Sequence, residues 1–256
     1  MRLQEYDFSM TRWPLVAAFV VLCACPTASG EVEVRPPEAG PTPRAEGLPP
    51  TRPAAPPAST PAPAAAKVLY LQPLGDQLPT DAVDLVETAL MEFYGFQIKR
   101  AAPLPLPQFA YYRPRKRYRA EKLLAFLGKR APQSSFRVLG LTGVDISTTS
   151  HGVTDWGIMG LATIDGRVSV MSMFRCRRGS RSPVHARERL GKVAVHEVGH
   201  TLGLEHCPTY GCLMEDAHGT NTTTDREYVL CPRCRQLLAK RGFTLPPNPS
   251  PPWARP

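Results

Sequence analysis

The residue types and spacing that could do chemistry occur together in one short stretch, HEVGHTLGLEHC, at positions 196–207. On an α-helix, His196 and His200 share one face, one turn apart, as two ligands of one zinc ion must. Glu197 lies between them and is free to act as a base and not as a ligand. Gly203 can end the helix in the left-handed conformation, which would return His206 to the metal as a third ligand. Three histidines leave a position open for water, so the stretch predicts a catalytic zinc site.

A second possible metal site follows the histidines. Cys207 and Cys212 form one pair, and Cys231 and Cys234 form a CxxC pair. Two such pairs suit a structural zinc ion held by four thiolates, but in an oxidising compartment they could instead close two disulfides. We favour zinc because a CxxC disulfide is more often strained and redox-active than structural. Cys176 has no evident partner, and we expect it to be a buried, small apolar residue.

The N-terminal residues resemble an export signal. Residues 13–24 form an apolar run that is too short to span a bilayer but suits the core of a signal peptide. The sequence Leu22-Cys23-Ala24-Cys25 resembles a bacterial lipoprotein signal, which would make residues 1–25 the signal and Cys25 the lipid-anchored residue. Ordinary cleavage after Gly30, and a cytosolic protein with a fortuitous apolar start, are the alternatives. Translation could also begin at Met10. We favour a lipid-anchored protein of the cell envelope.

Composition divides the rest of the chain. Of the 256 residues, 29 are proline, about twice the usual proportion. Residues 26–66 contain no aromatic side chain and cannot bury enough apolar surface to offset their ordering entropy, so we predict a disordered linker. Residues 246–256 have the same character and are predicted to be a disordered tail. Residues 67–245 remain as one domain with one core.

The net charge is +9, and the basic residues cluster at 113–119 and 175–181. Clusters of this kind could neutralise a nucleic-acid backbone, an anionic lipid surface or an acidic substrate. Solvated loops and helix flanks explain them more simply, so we do not expect a nucleic-acid partner.

Hydrophobic periodicity predicts strands that alternate with helices before the histidines, and therefore an α/β (α+β) fold with a mixed sheet. The predicted strands are 67–72, 96–98 and 136–141, and the predicted helices are 79–94, 118–127 and 182–202. Asp165-Gly166 predicts a two-residue turn between hairpin strands 157–164 and 167–174. One hairpin strand could form the sheet edge and pair with an extended peptide, in which case Ala162→Pro or Ile164→Pro would block turnover. His185, in the first turn of the last helix, is expected at the surface.

The histidine stretch, followed by Cys212, Met214, and Cys231 with Cys234, resembles the archaemetzincins, a group of zinc metallopeptidases. Residues 159–175 also resemble the strand hairpin of that family, and the resemblance extends over about residues 67–244. The pattern departs from the family in two respects. The loop between Met214 and Cys231 holds sixteen residues, one fewer than in the family pattern, and an export signal is unusual for a mostly intracellular family.

The resemblance implies a metzincin-like zincin fold, with a twisted mixed sheet, an active-site helix and a small zinc-binding C-terminal subdomain. It makes His196, His200 and His206 the ligands of a catalytic zinc, and Glu197 the general base. Met214 becomes the residue of the turn below the metal. The ligands of a second, structural zinc would be Cys207, Cys212, Cys231 and Cys234.

The implied cofactor is therefore Zn²⁺, two ions per chain, and the implied partner is a peptide or protein substrate of a monomeric enzyme. A non-catalytic, zinc-stabilised binding module tethered at the cell envelope is the alternative function.

Overall fold

The computed structural model describes residues 67–76, 78–150, 152–247 and 249–254. The predicted signal, the predicted lipidation site Cys25 and the predicted linker 26–66 lie outside the described residues.

Strands and helices alternate through the first half of the described chain, and helices dominate after it. The first elements are β1 (Val68–Leu74), α1 (Thr80–Tyr94), β2 (Gln97–Arg100), β3 (Tyr111–Tyr112), β4 (Arg117–Arg119) and α2 (Ala120–Arg130). They are followed by β5 (Arg137–Thr142), β6 (Ile146–Ser150), β7 (Val153–Ile158), β8 (Gly160–Ala162) and β9 (Val168–Ser172). The last are α3 (Met173–Cys176), α4 (Pro183–Thr201), α5 (Asn221–Arg226) and α6 (Pro232–Lys240). None of the described helices has both the length and the apolar content needed to cross a membrane.

The described strands form two mixed sheets. The larger has five strands in the order β2-β1-β5-β9-β8, all parallel except β8, which runs antiparallel to β9 at one edge. The smaller has four strands in the order β3-β4-β6-β7. This architecture confirms the α/β fold with mixed sheets.

Both faces of the larger sheet are covered by helices. Side chains that alternate along β5 divide between the two faces: Leu139 and Leu141 join the core formed with α1 and α4, and Val138 packs with Leu123 and Leu127 of α2. Each fully buried leucine contributes roughly 1.5–3 kcal/mol to folding. The two cores fix α4, the helix that carries the histidines, against the sheet.

One boundary of each of two helices lies where the sequence predicted it. α1 is followed by Gly95, whose N–H donates to the Met91 carbonyl. α4 begins after Ser182, whose hydroxyl accepts a hydrogen bond from the N–H of His185 at 3.1 Å, and has Pro183 in its first turn.

The hairpin exists, but its predicted strand 157–164 is wrong in extent. Gly157 and Ile158 belong to β7 in the other sheet, and β8 begins only at Gly160. The predicted two-residue turn is a longer loop, residues 163–167, in which Asp165 has a φ of 55°. The Asp165 N–H donates to the His200 carbonyl at 2.9 Å, so the loop is tied to the end of α4.

The C-terminal segment, which we predicted to be a disordered tail, contributes one described side chain to the core. Trp253 is buried and stacks on Phe93 of α1, with ring centroids 5.4 Å apart. Proline-rich composition suggested disorder, but one large aromatic ring supplies the apolar area that the rest of the segment lacks. Proline also loses little backbone freedom on ordering, which reduces the entropic cost.

The expected surface position of His185 is also wrong. The side chain is buried, its Nδ1 accepts the Arg181 N–H at 3.1 Å, and its Nε2 lies 2.8 Å from Asp225 Oδ1. Because Asp225 is forty residues away along the chain, helical position alone could not reveal this contact.

Candidate active site

His196 and His200 face each other from successive turns of α4. Their ring centroids are 4.6 Å apart, and their Nε2 atoms are separated by 3.0 Å. The Nδ1 of His196 lies 2.7 Å from the Leu213 carbonyl, and the Nδ1 of His200 lies 2.7 Å from the Leu204 carbonyl. A carbonyl can only accept, so each Nδ1 carries the proton and each Nε2 presents a lone pair.

These two lone pairs point at each other, an unfavourable arrangement that a cation between them would relieve. Burial first, and then the neighbouring His200, lower the pKa of His196 to about 3, so protonation does not supply that cation. Burial also lowers the pKa of His200. Two neutral imidazoles with converging Nε2 atoms therefore fit a zinc ion.

His206 completes the group through a sharp reversal of the chain. Gly203 has a φ of 88°, which only glycine adopts readily, and its N–H donates to the His200 carbonyl at 2.9 Å. The potential ligand atoms of the three histidines all lie within 4.8 Å of one another. Asp216 Oδ2 lies 3.3 Å from the His206 Nδ1 and can orient that ring. The His206 side chain is half exposed, so the site opens to solvent on this side.

Glu197 is buried on the same helix, beside the histidines, and burial raises its pKa to about 8. Its carboxyl group lies directly against Gly160 of β8: a Cβ placed on Gly160 would be 2.3 Å from Oε1. The space for the carboxyl group therefore depends on the absence of a side chain at position 160. A glycine within a strand is the only sequence signal of such a contact, and it does not identify the partner.

Met214 lies directly beneath the histidines and is fully buried. A Cβ placed on Gly199 of α4 would be 2.5 Å from the Met214 sulfur, so the thioether packs against the helix backbone between the two histidine turns. The Met214 carbonyl accepts the Cys207 N–H at 2.7 Å. Met214 thus connects the histidine group to the cysteine group.

The four C-terminal cysteines converge as the sequence predicted. Their sulfur atoms all lie within 4.8 Å of one another, with Cys207–Cys231 and Cys212–Cys234 both at 3.7 Å. Zinc–sulfur bonds of about 2.3 Å give a tetrahedron with edges of about 3.8 Å, whereas a disulfide requires about 2.05 Å. A hydrogen bond with Cys234 lowers the pKa of Cys212, which favours a thiolate there. The arrangement fits metal thiolates better than disulfides.

Cys176 is buried away from this group, as expected, and burial raises its pKa to about 12. Its thiol is therefore unreactive near neutral pH.

Several residues of the basic clusters are held in ion pairs. Arg117 contacts Asp145 at 2.7 Å and Asp155 at 3.0 Å, and Arg175 contacts Asp145 at 2.8 Å. These guanidinium groups join β4 and α3 to β7 and to the residue before β6, and their charge is already compensated within the protein.

A cleft of about 900 Å³ passes over the histidines, with β8 on one side and the segment after Met214 on another. It is large enough for several residues of an extended peptide. The fold, the cleft and the histidine group together define the class of this protein as a zinc metallopeptidase. The sequence profile of Peptidase family M54 matches residues 104–240, more than half of the chain. The chain belongs to this family, the archaemetzincins.

Individual relatives agree with this assignment. The chain is 33% identical over 164 residues to an archaemetzincin of Methanopyrus kandleri, an alignment that covers 62% of this chain and 89% of the relative. It is 28% identical over 173 residues to an archaemetzincin of Haloquadratum walsbyi, covering 65% and 96%. The crystal structure of the M. kandleri archaemetzincin superposes with a TM-score of 0.60 at 31% identity, covering 71% of this chain and 98% of that one. An archaemetzincin of Archaeoglobus fulgidus, crystallised with malonate, gives a TM-score of 0.55 at 27% identity, covering 66% and 98%.

Proposed function

We propose that this protein hydrolyses peptide bonds with water, with a catalytic zinc held by His196, His200 and His206 and with Glu197 as the general base. The converging Nε2 atoms beside a buried carboxyl group carry this proposal. Zinc bound there would supply Lewis acidity, which makes water a stronger acid and polarises a carbonyl group. A second, structural zinc would be held by Cys207, Cys212, Cys231 and Cys234, giving two ions per chain.

Glu197 would remove a proton from the attacking water and deliver it to the leaving amine. This requires the carboxylate form. Burial raises the pKa of Glu197 to about 8, and a neighbouring cation lowers it again and favours the carboxylate. Contact with Gly160 holds the carboxyl group at the cleft, beside the edge strand.

The substrate would bind as an extended strand along β8. This strand pairs with β9 on one side, and no described strand pairs with its other side. The Thr163 N–H donates to the Val168 carbonyl, and the Ser172 N–H donates to the Met159 carbonyl. In an antiparallel pair the bonded residues alternate, so the N–H and C=O groups of Gly160 and Ala162 point to the open edge. A peptide could pair with these groups. Ile164 lies in the loop after β8 and is not part of this edge.

We also propose that residues 1–25 are an export signal of the lipoprotein type. Lipidation of Cys25 would tether the enzyme to the cell envelope through residues 26–66. Mass spectrometry of the mature N-terminus tests it: a diacylated Cys25 supports the lipoprotein, and an unmodified chain starting after Gly30 supports soluble export.

The decisive test of the enzyme proposal combines metal content, free thiols and turnover on the purified protein. We expect two zinc ions, four masked thiols and chelator-sensitive hydrolysis of a mixed peptide library. Glu197→Ala should keep both metals and the fold while hydrolysis falls by about 10²–10⁴-fold. Full activity in that variant contradicts the mechanism. Absence of hydrolysis in the zinc-loaded wild-type protein would favour the binding module instead.

A further inference from the structure

One wall of the same cleft contains a buried acid that the proposed mechanism does not use. Glu227, which directly follows α5, is 3% exposed and lines the cleft together with His196 and Glu197. Among the described residues no group donates a hydrogen bond to its carboxyl oxygens, and burial is the largest cause of its raised pKa. Buried carboxyl groups are normally paired, so an unpaired one that faces a cavity calls for a partner from outside the protein.

The charges of Lys192 and Arg226 lower the pKa of Glu227, but the hydrogen bonds of both cations go to other groups. The Lys192 ammonium donates to the Thr224 carbonyl at 3.1 Å and the Asp225 carbonyl at 3.3 Å. It also lies 4.3 Å from the ring centre of Tyr228.

The neighbouring acid offers no compensation. Glu215 is paired with the Arg226 guanidinium and accepts the Gly211 N–H at 2.8 Å. Its negative charge adds to that of Glu227. Burial first, and then Glu215, raise the pKa of Glu227 to about 8.

The chemistry of the missing partner follows from this environment. An apolar side chain would leave the carboxyl group unpaired, and an acidic one would be repelled by both glutamates. A lysine ammonium or an arginine guanidinium would supply both the donors and the opposite charge. A metal ion would need several ligand groups, and among the described residues such groups occur only in the histidine and cysteine clusters.

We propose that Glu227 forms the floor of a subsite that selects peptide substrates with a lysine or arginine side chain close to the scissile bond. This inference rests on the proposed peptidase function, because the subsite shares its cleft with His196 and Glu197.

Cleavage of a mixed peptide library by the zinc-loaded protein, with products identified by mass spectrometry, tests the preference. We expect one position near the cleaved bond to be enriched in Lys and Arg. Matched peptides with Arg, Lys, Gln, Leu or Glu at that position should show kcat/KM at least about tenfold higher for the basic residues. Glu227→Gln should remove this difference, and Glu227→Asp should retain part of it. Glu205→Gln is the matched control, because Glu205 is an exposed glutamate of the same cleft and its loss should leave the preference unchanged.

The outcomes separate the two proposals. Hydrolysis without a basic preference, or with a preference that Glu227→Gln retains in a zinc-loaded, folded protein, overturns the subsite and leaves the peptidase proposal intact. If no peptide is cleaved, the peptidase proposal fails, and calorimetric binding of butylguanidinium to the zinc-loaded protein decides the subsite. Binding that Glu227→Gln weakens about tenfold or more supports the subsite, and equal or absent binding overturns it.

Discussion

Gly160 and Glu197 are in direct contact between the edge strand and the histidine helix, and a Cβ at position 160 would lie 2.3 Å from Oε1 and 2.5 Å from Cδ of the carboxyl group. The contact joins β8, along which the substrate would bind, to the residue that would move the proton. It also leaves no room for both a side chain at position 160 and the carboxyl group in its present place.

Gly160→Ala should therefore displace the Glu197 carboxyl group while leaving the histidines in place. We expect kcat to fall by about 10²-fold, as is typical when a reacting group moves by about 1 Å, with unchanged zinc content. Steady-state kinetics and metal analysis measure both. Gly128→Ala is the control, since a Cβ there meets nothing within 4 Å. An unchanged kcat in Gly160→Ala would show that the carboxyl group relaxes without loss.

Ala162→Pro should remove an outward-facing N–H from β8 without breaking its hydrogen bonds to β9. The lost hydrogen bond to the peptide is worth about 1–1.5 kcal/mol, so KM should rise by about tenfold while zinc remains bound. This effect is smaller than the complete block of turnover that the sequence alone suggested. Ala162→Val keeps the N–H and serves as the control. Equal kinetic constants for the two variants would mean that the substrate does not pair with this edge.

Cys234→Ser should remove one ligand of the cysteine group and release the structural zinc. Because metal binding at such sites contributes directly to folding, we expect one zinc in place of two and a clearly lower Tm. Cys176→Ser changes a thiol that lies outside the group, so its zinc content should match the wild type. Two zinc ions in purified Cys234→Ser would exclude the four-thiolate site.

Trp253→Ala tests the packing of the C-terminal segment. Loss of the ring stacked on Phe93 should destabilise the fold by about 3 kcal/mol, measured by denaturant unfolding. Met91→Ala is the control. Met91 lies on α1, as Phe93 does, but it is 50% exposed, so the substitution should change stability by less than about 0.5–1 kcal/mol. Equal effects of the two substitutions would mean that the stacking of Trp253 on Phe93 does not stabilise the fold.

Local spacing was sufficient to predict the histidine site. His196 and His200 are one helical turn apart, and Gly203 reverses the chain within three further residues, so no distant part of the sequence was needed. The cysteine group was predictable for a similar reason, since both of its pairs are short-range. In contrast, the contact between Gly160 and Glu197, the burial of Glu227 and the stacking of Trp253 on Phe93 join segments far apart in the chain. Their partners become evident only once the sheet order is known.

The contact between the buried His185 and the partly exposed Asp225 also joins distant segments, and it predicts a pH dependence of stability. Arg189, by its hydrogen bonds, and then His185 lower the pKa of Asp225 from 3.8 to about 2. A carboxyl group with a depressed folded-state pKa stabilises the protein above its unfolded pKa and loses that contribution as pH falls through the folded value. Wild-type stability should therefore include a component that declines between about pH 3.8 and pH 2. Asp225→Asn should be less stable at neutral pH and should lack this component, as measured by urea unfolding across the range.

Asp84→Asn, at an exposed ion pair with Arg100, is the control and should retain the decline. If the wild type and Asp225→Asn lost the same amount of stability between about pH 3.8 and pH 2, protonation of Asp225 would not be coupled to folding.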